Sequence, residues 1–381
     1  LQAQDNKIPE VTEELLYQIA LTQVPNVGDV IAKNLIAYCG SASAVFKAKH
    51  AELIKIPQVG EYVAKFILGQ QQNAALFKRA EQEIKFIEKE KITPLFFTDA
   101  AYPNKLKHCH DAPVLLFYKG TADLNAEKIL AVVGTRTPTD YGKSMTEKII
   151  SDLRGQNILI VSGLAYGIDA YAHKSALNNG LETVGVLAHG LDDLYPSVHS
   201  SFAGKMLEQG GLLTEFISDT NPDKENFPKR NRIVAGMCDA VLVVESKRTG
   251  GALITADIAN SYSRDVFAMP GRAGDSCSEG CNKLIRQNKA ALVESAADIL
   301  YAMSWEISEP AKKKSKQISL PVNLSDDETK IIALLKDREA IHVDEICSAL
   351  QLTPGKASGL LLQLEFGNLV KSLPGKLYAI S

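Results

Sequence analysis

The sequence predicts an α/β protein whose centre is an open, mostly parallel sheet of about nine strands. A helical module should precede the sheet and a winged helix follow it. Three observations carry this prediction. Nine strand-length apolar runs alternate with helical stretches through the middle of the chain. Several runs, Ala240-Val241-Leu242-Val243-Val244 above all, are apolar at every position, as strands covered by helices on both faces require. Four of the runs lead into glycine-bearing loops, and open sheets of this kind hold ligands beyond their strand carboxyl ends.

Residues 1–80 read as short helices with two related turns. Val24-Pro25-Asn26-Val27-Gly28 leads into Ile31-Ala32-Lys33, and Ile56-Pro57-Gln58-Val59-Gly60 leads into Val63-Ala64-Lys65, 32 residues further on. Each Pro and Gly breaks the chain, and helical apolar spacing resumes after it. The pair resembles a tandem helix-hairpin-helix (SAM-like) module, a family that often offers hairpin amides to phosphate. Here Asn26 and Gln58 stand for the first glycine, and Asp29 and Glu61 follow the second. A carboxylate beside those amides repels phosphate, which favours a packing or partner role.

Within 81–304 the expected strands are Ile92–Phe97, Val114–Tyr118, Ile129–Val133, Ile158–Val161, Thr183–Leu187, Leu212–Phe216, Ala240–Val244, Val266–Ala268 and Ala291–Val293. Helices fit between them at Tyr141–Leu153, Asp169–Asn178 and Thr255–Ser261. Residues 305–323, with Pro310, Lys312-Lys313-Lys314, Lys316 and Pro321, read as a solvated linker. Residues 324–381 then supply helices Asp326–Leu335, Val343–Leu350 and Pro354–Phe366, and a hairpin signal through Leu369-Val370-Lys371 and Leu377-Tyr378-Ala379-Ile380. That is a winged-helix pattern. Its third helix carries Lys356 as its only basic residue, whereas groove-reading helices bring arginines.

Composition narrows the function. The 381 residues suit two or three domains, and 45% hydrophobic with 23% charged is ordinary for a globular chain. With 42 basic and 45 acidic residues the net charge is -3, so any polyanion site must be a local patch rather than a basic coat. No apolar run approaches the ~20 residues of a membrane-spanning helix. Leu1 to Glu10 lacks the basic-then-apolar order of a signal peptide. Six irregularly spaced cysteines read as reduced thiols of a cytoplasmic protein, not a disulfide framework.

The glycine-bearing loops are Gly134-Thr135-Arg136, Ser162-Gly163 through Gly167-Ile168-Asp169, His189-Gly190-Leu191-Asp192, and Arg248-Thr249-Gly250-Gly251. Glycine allows close backbone approach to a ligand, and helix N-termini aim free N–H groups at an anion. Cations gather at the same places: Arg136, Lys247, Arg248, and Lys229, Arg230 and Arg232 within Phe227-Pro228-Lys229-Arg230-Asn231-Arg232. Such a set suits successive phosphates, with Phe227 and Tyr195 in position to stack bases.

These blocks also carry a family resemblance. Val133-Gly134-Thr135-Arg136, Ser162-Gly163-Leu164-Ala165-Tyr166-Gly167-Ile168-Asp169, His189-Gly190-Leu191-Asp192, Phe227-Pro228-Lys229-Arg230-Asn231-Arg232 and Gly250-Gly251-Ala252-Leu253-Ile254-Thr255-Ala256, in that order, resemble the DNA-processing protein A family (DprA, also called Smf). The likeness spans about residues 90–295. It implies an extended Rossmann-like domain that dimerises and binds single-stranded DNA in a basic pocket. It further implies a mediator that loads the RecA recombinase onto DNA entering the cell during natural transformation. The resemblance carries Gly134, Thr135, Arg136, Phe227, Lys229, Arg230, Asn231 and Arg232 onto this chain as DNA-binding residues, and the glycine loops with their cations add Ser162, Gly163, Lys247, Arg248, Gly250 and Gly251.

Other classes fit less well. A phosphoribohydrolase-like enzyme needs Gly-Gly-x-Gly-Thr-x-x-Glu, but Leu253, Ile254 and Asp257 stand where Gly, Thr and Glu belong. No Gly-x-Gly-x-x-Gly block follows a strand, which argues against a nicotinamide enzyme. Ser162 lies outside any Gly-x-Ser-x-Gly elbow, so Ser162, His189 and Asp192 are not expected to form a triad. His108-Cys109-His110 and Cys277-x-x-x-Cys281 lack the partners a structural zinc needs. A winged-helix regulator meets the poorly basic helix Pro354–Phe366. The sequence therefore points to a binder, with no catalytic residue, cofactor or metal expected and no membrane partner.

Overall fold

A computed structural model of the chain describes residues 13–305, 325–336, 338, 340–367, 369–373 and 375–380. Apart from Trp305, the linker expected over 305–323 lies outside the described residues. The chain divides into two compact units, Leu1–Ala311 and Lys312–Ser381.

The first unit is built on β1 (Thr93–Phe96), β2 (Leu115–Gly120), β3 (Lys128–Val133), β4 (Ile158–Ser162), β5 (Thr183–Val186), β6 (Gly210–Thr214), β7 (Ala240–Val243), β8 (Asp265–Ala268) and β9 (Ala291–Leu292). They form one sheet in the order β1-β2-β6-β5-β4-β3-β7-β8-β9. From β6 to β9 every neighbouring pair is parallel, while β1–β2 and β2–β6 are antiparallel. All nine expected strands are present, with ends shifted by one or two residues.

Strand pleating explains the unbroken apolar runs. Along β3, Ile129, Ala131 and Val133 pack on one side of the sheet and Leu130 and Val132 on the other. The first side is covered by helices Asn226–Gly236, Gly251–Ser261 and Glu279–Arg286; the second by Asp140–Asp152, Ile168–Asn178 and Ala296–Ala302. Helix Asn226–Gly236 differs from the sequence expectation, which left the Phe227–Arg232 block between strands. Pro228 falls in its first turn, where no intrahelical N–H is needed.

The chain runs β3 to β6 outward in one direction, then returns to place β7 against the other side of β3. This reversal leaves a crevice at the carboxyl ends of β3 and β7, where no loop bridges the two strands.

The N-terminal helices share their core with the edge of this sheet. Ile19, Leu35, Leu53 and Ile67 belong to the same buried cluster as Phe96, Leu115, Phe117 and Ile217. Asn26 and Gln58 take left-handed φ values of 64° and 68°, the conformation that glycine usually supplies at that corner. Gly28 and Gly60 then cap helices Asp29–Cys39 and Glu61–Gln70. Among the described residues no helix is long and apolar enough to cross a membrane.

Among its described residues the second unit has three helices, Asp326–Lys336, Val343–Leu350 and Pro354–Phe366, and an antiparallel sheet of β10 (Ile341–His342), β11 (Val370–Leu373) and β12 (Leu377–Ile380) in the order β10-β12-β11. This is the expected winged helix, with β10 as an added strand. Lys356 on its third helix lies 2.7 Å from Asp327, so that cation is already paired.

Candidate functional site

The crevice at the β3–β7 reversal opens into a cleft of about 540 Å³. Three backbone loops and two helices build it: Gly134–Arg136 after β3, the loop from Gly163 after β4, the loop from Lys247 after β7, helix Asn226–Gly236, and the first turns of helix Gly251–Ser261. Close backbone approach explains two of the glycines. A Cβ on Gly167, which also has φ 79°, would run into the Thr135 carbonyl, and one on Gly163 into the Arg230 guanidinium. Thr135 is clamped from both sides, donating its N–H to Glu245 O at 2.7 Å and accepting from Ile168 N at 3.1 Å.

Arg136, Lys224 and Lys247 are exposed cations around this cleft. Helix Gly251–Ser261 begins at its edge with Gly250 as N-cap and no side-chain cap, leaving first-turn amides for a ligand. Phe227 is half-buried. The Arg136 guanidinium lies over its ring, and Tyr195 meets it edge-on with centroids 6.4 Å apart. Among the described residues lining the cleft, Asp169 is the only acid. It is buried and accepts the Gly163 N–H at 3.1 Å; burial pushes its carboxyl up, opposed by Arg230.

Arg230 is a different kind of cation. It is 4% exposed, and one terminal nitrogen donates to the Gly163 and Val186 carbonyls. Burial lowers its pKa to about 10, against the pull of Asp169, so it stays charged at neutral pH.

The structure thus gathers Gly134, Thr135, Arg136, Gly163, Phe227, Arg230, Asn231, Lys247, Gly250 and Gly251 around one cleft. Four expected residues lie elsewhere. Ser162 is fully buried and donates to Val132 O at 2.6 Å, completing the β4 end rather than facing a ligand. Lys229 and Arg232 project from the opposite face of helix Asn226–Gly236, into a separate recess against the N-terminal helices. There Arg232 pairs with Glu215 and with Asp29, which is 3.1 Å away. Burial pushes the Glu215 carboxyl up to about 7, against the pull of Arg232. Arg248 turns away toward Lys283 and Arg286. The helical period separates 227, 230, 231 and 234 from 229 and 232, a division that the expectation of one cationic block between strands did not contain. Lys224 went unnoticed because Asp223 and Glu225 flank it and make the segment look neutral.

Across residues 93–304 the sequence matches the model of the DNA recombination-mediator protein A family. The chain belongs to the DprA/Smf family. Residues 316–376 match the DprA winged helix domain. A protein Smf of Synechocystis sp. is 32% identical over 96% of this chain and 98% of its own length. The DNA processing protein DprA of Streptococcus pneumoniae is 43% identical over 56% of this chain and 75% of its own. The X-ray structure of DprA from Streptococcus pneumoniae superposes with TM-score 0.61 at 34% identity, covering 76% of this chain and 98% of that one. A Helicobacter pylori DprA structure, described for its unique single-stranded DNA binding mode, gives TM-score 0.51 at 26% identity over 56% of this chain and 96% of that one.

Proposed function

We propose that this chain binds single-stranded DNA in the β3–β7 cleft and delivers it to the RecA recombinase during natural transformation, acting as a homodimer and without turnover chemistry. The observation that carries the reading is the meeting of three exposed cations, first-turn helix amides and the Phe227 ring in one cleft. Cations and amides suit the backbone of a strand, and an aromatic face suits any base, so binding needs no fixed sequence. The Helicobacter pylori relative supports the same ligand class. Among the described residues lining the cleft the single carboxylate, Asp169, is engaged in holding the Gly163 loop, which favours a binder over an acid–base catalyst. The paired Lys356 disfavours duplex reading by the winged helix.

The test is a mobility-shift series with single-stranded and duplex oligonucleotides, followed by RecA filament assembly on the bound strand. A mediator prefers single strands with little sequence bias and accelerates filament formation. Preference for one duplex sequence would replace this reading with that of a transcription regulator.

A further inference from the structure

The cleft contains a polar group whose direction is set by its neighbour. The Arg230 Nε–H donates to Asn231 Oδ1 at 3.2 Å. A guanidinium has donors only, so the amide must turn its oxygen toward Arg230 and its Nδ2 away. Asn231 lines the cleft beside Arg136 and Phe227, and among the described residues its Nδ2 has no partner. Arg230 itself cannot leave to meet a ligand cheaply, because its charge is buried and bound to the Gly163 and Val186 carbonyls.

We propose that Arg230 is a positioning residue rather than a phosphate contact, and that it fixes Asn231 as a one-way donor whose Nδ2 meets an acceptor oxygen of the bound strand. The inference rests on the single-strand reading of the cleft and divides the labour within it. Arg136, Lys224 and Lys247 supply charge; Asn231 supplies a neutral, directional hydrogen bond. Arg230 already draws on one of the two Oδ1 lone pairs, so the Nδ2 donor is the group that Asn231 chiefly offers the strand. It tolerates any nucleotide that offers an acceptor, through either a phosphate oxygen or a base carbonyl, and this suits sequence-tolerant binding.

The experiment uses the full chain and a short oligothymidine across a salt series, with an abasic oligomer of the same length as the second probe. Asn231→Ala should weaken binding by about fivefold, the worth of one neutral hydrogen bond, with the salt slope unchanged. Asn231→Asp keeps the acceptor for Arg230 but turns the donor into a negative acceptor, and should weaken binding further. Arg230→Gln should also lower affinity at constant slope, whereas loss of a phosphate contact lowers the slope by about 0.7. A penalty for Asn231→Ala that persists on the abasic strand assigns the acceptor to phosphate; one that vanishes assigns it to a base. Wild-type affinity of Asn231→Ala for both probes overturns the proposal, as does a reduced slope for Arg230→Gln. The Asn231 variants leave the buried arginine in place, so they decide the matter even if Arg230→Gln fails to fold. An Arg136→Ala control at wild-type affinity would instead defeat the single-strand reading itself.

Discussion

The Arg136 guanidinium carbon lies 5.1 Å from the centre of the Phe227 ring. Arg230 approaches the same ring at 5.9 Å. A cation resting on an aromatic face gains about 0.5–1 kcal/mol at an exposed site, which is less than a base gains by stacking there, about 1–3 kcal/mol. An arriving strand can therefore displace Arg136 from the ring, and the freed guanidinium is then available to a phosphate.

Charge and stacking should accordingly separate in mutants. Arg136→Ala and Lys224→Ala are each expected to lower the salt slope of single-strand binding by about 0.7. Phe227→Ala should cost about 1–3 kcal/mol with the slope nearly unchanged. Lys229→Ala should leave both quantities near wild type, because Lys229 faces the other recess. Fluorescence titrations at several salt concentrations check all four, and a slope lost at Lys229 rather than Arg136 would relocate the strand.

Arg232 holds the fold together instead. Asp29, the residue after the first N-terminal hairpin, accepts from Val114 N at 2.9 Å and from Arg232 at 3.1 Å. It thereby joins the hairpin to β2 and to helix Asn226–Gly236. Asp29→Ala removes a charged acceptor from a partly buried site and should destabilise the chain by about 2 kcal/mol, within the range for hydrogen bonds to charged groups. Asp29→Asn should cost less, since one acceptor survives. Urea unfolding measures both, and equal stability of wild type and Asp29→Ala would show the contact to be idle.

These two arginines mark how far the sequence was legible. The central strands could be read because buried parallel strands leave unbroken apolar runs, and the cleft could be approached because glycine loops follow them. The separate fates of Arg230 and Arg232 depend on partners far away in the chain: the Val186 carbonyl, Glu215 and Asp29. Nothing in the local pattern of Lys229-Arg230-Asn231-Arg232 distinguishes a buried strut from an exposed phosphate contact. The carboxylate at Asp29 was more informative, because its repulsion of phosphate already pointed to packing.

His173 gives the fold a pH dependence. It is fully buried, and burial lowers its pKa from 6.5 to about 3. Thr183 Oγ1 donates its hydrogen to Ile160 O, so His173 Nδ1 must be the donor in its 2.7 Å bond to Thr183, leaving Nε2 buried with no partner among the described residues. The unfolded chain takes up a proton here near pH 6.5 and the folded chain does not. Stability from this group is therefore complete above pH 6.5 and falls by up to about 1.4 kcal/mol per pH unit from there toward pH 3. His173→Gln should flatten that part of the stability curve relative to wild type. Parallel curves for the two proteins between pH 6 and about 4 would show that His173 titrates normally.

Assembly sets the final expectation. One cleft with three exposed cations should bind a strand moderately and with strong salt sensitivity. Two such clefts in a homodimer make the second engagement intramolecular, raising affinity with no new contact. The gain should appear only when the strand is long enough to reach both clefts. Affinity plotted against oligonucleotide length is then expected to show a step, not a smooth rise. Light scattering over a dilution series should place that step in the concentration range where the dimer persists. Arg136→Ala should lower the plateau on both sides of the step, because each cleft loses the same contact. A monomer at every concentration, with affinity climbing smoothly with length, would remove the dimer from the proposal while leaving the single cleft intact.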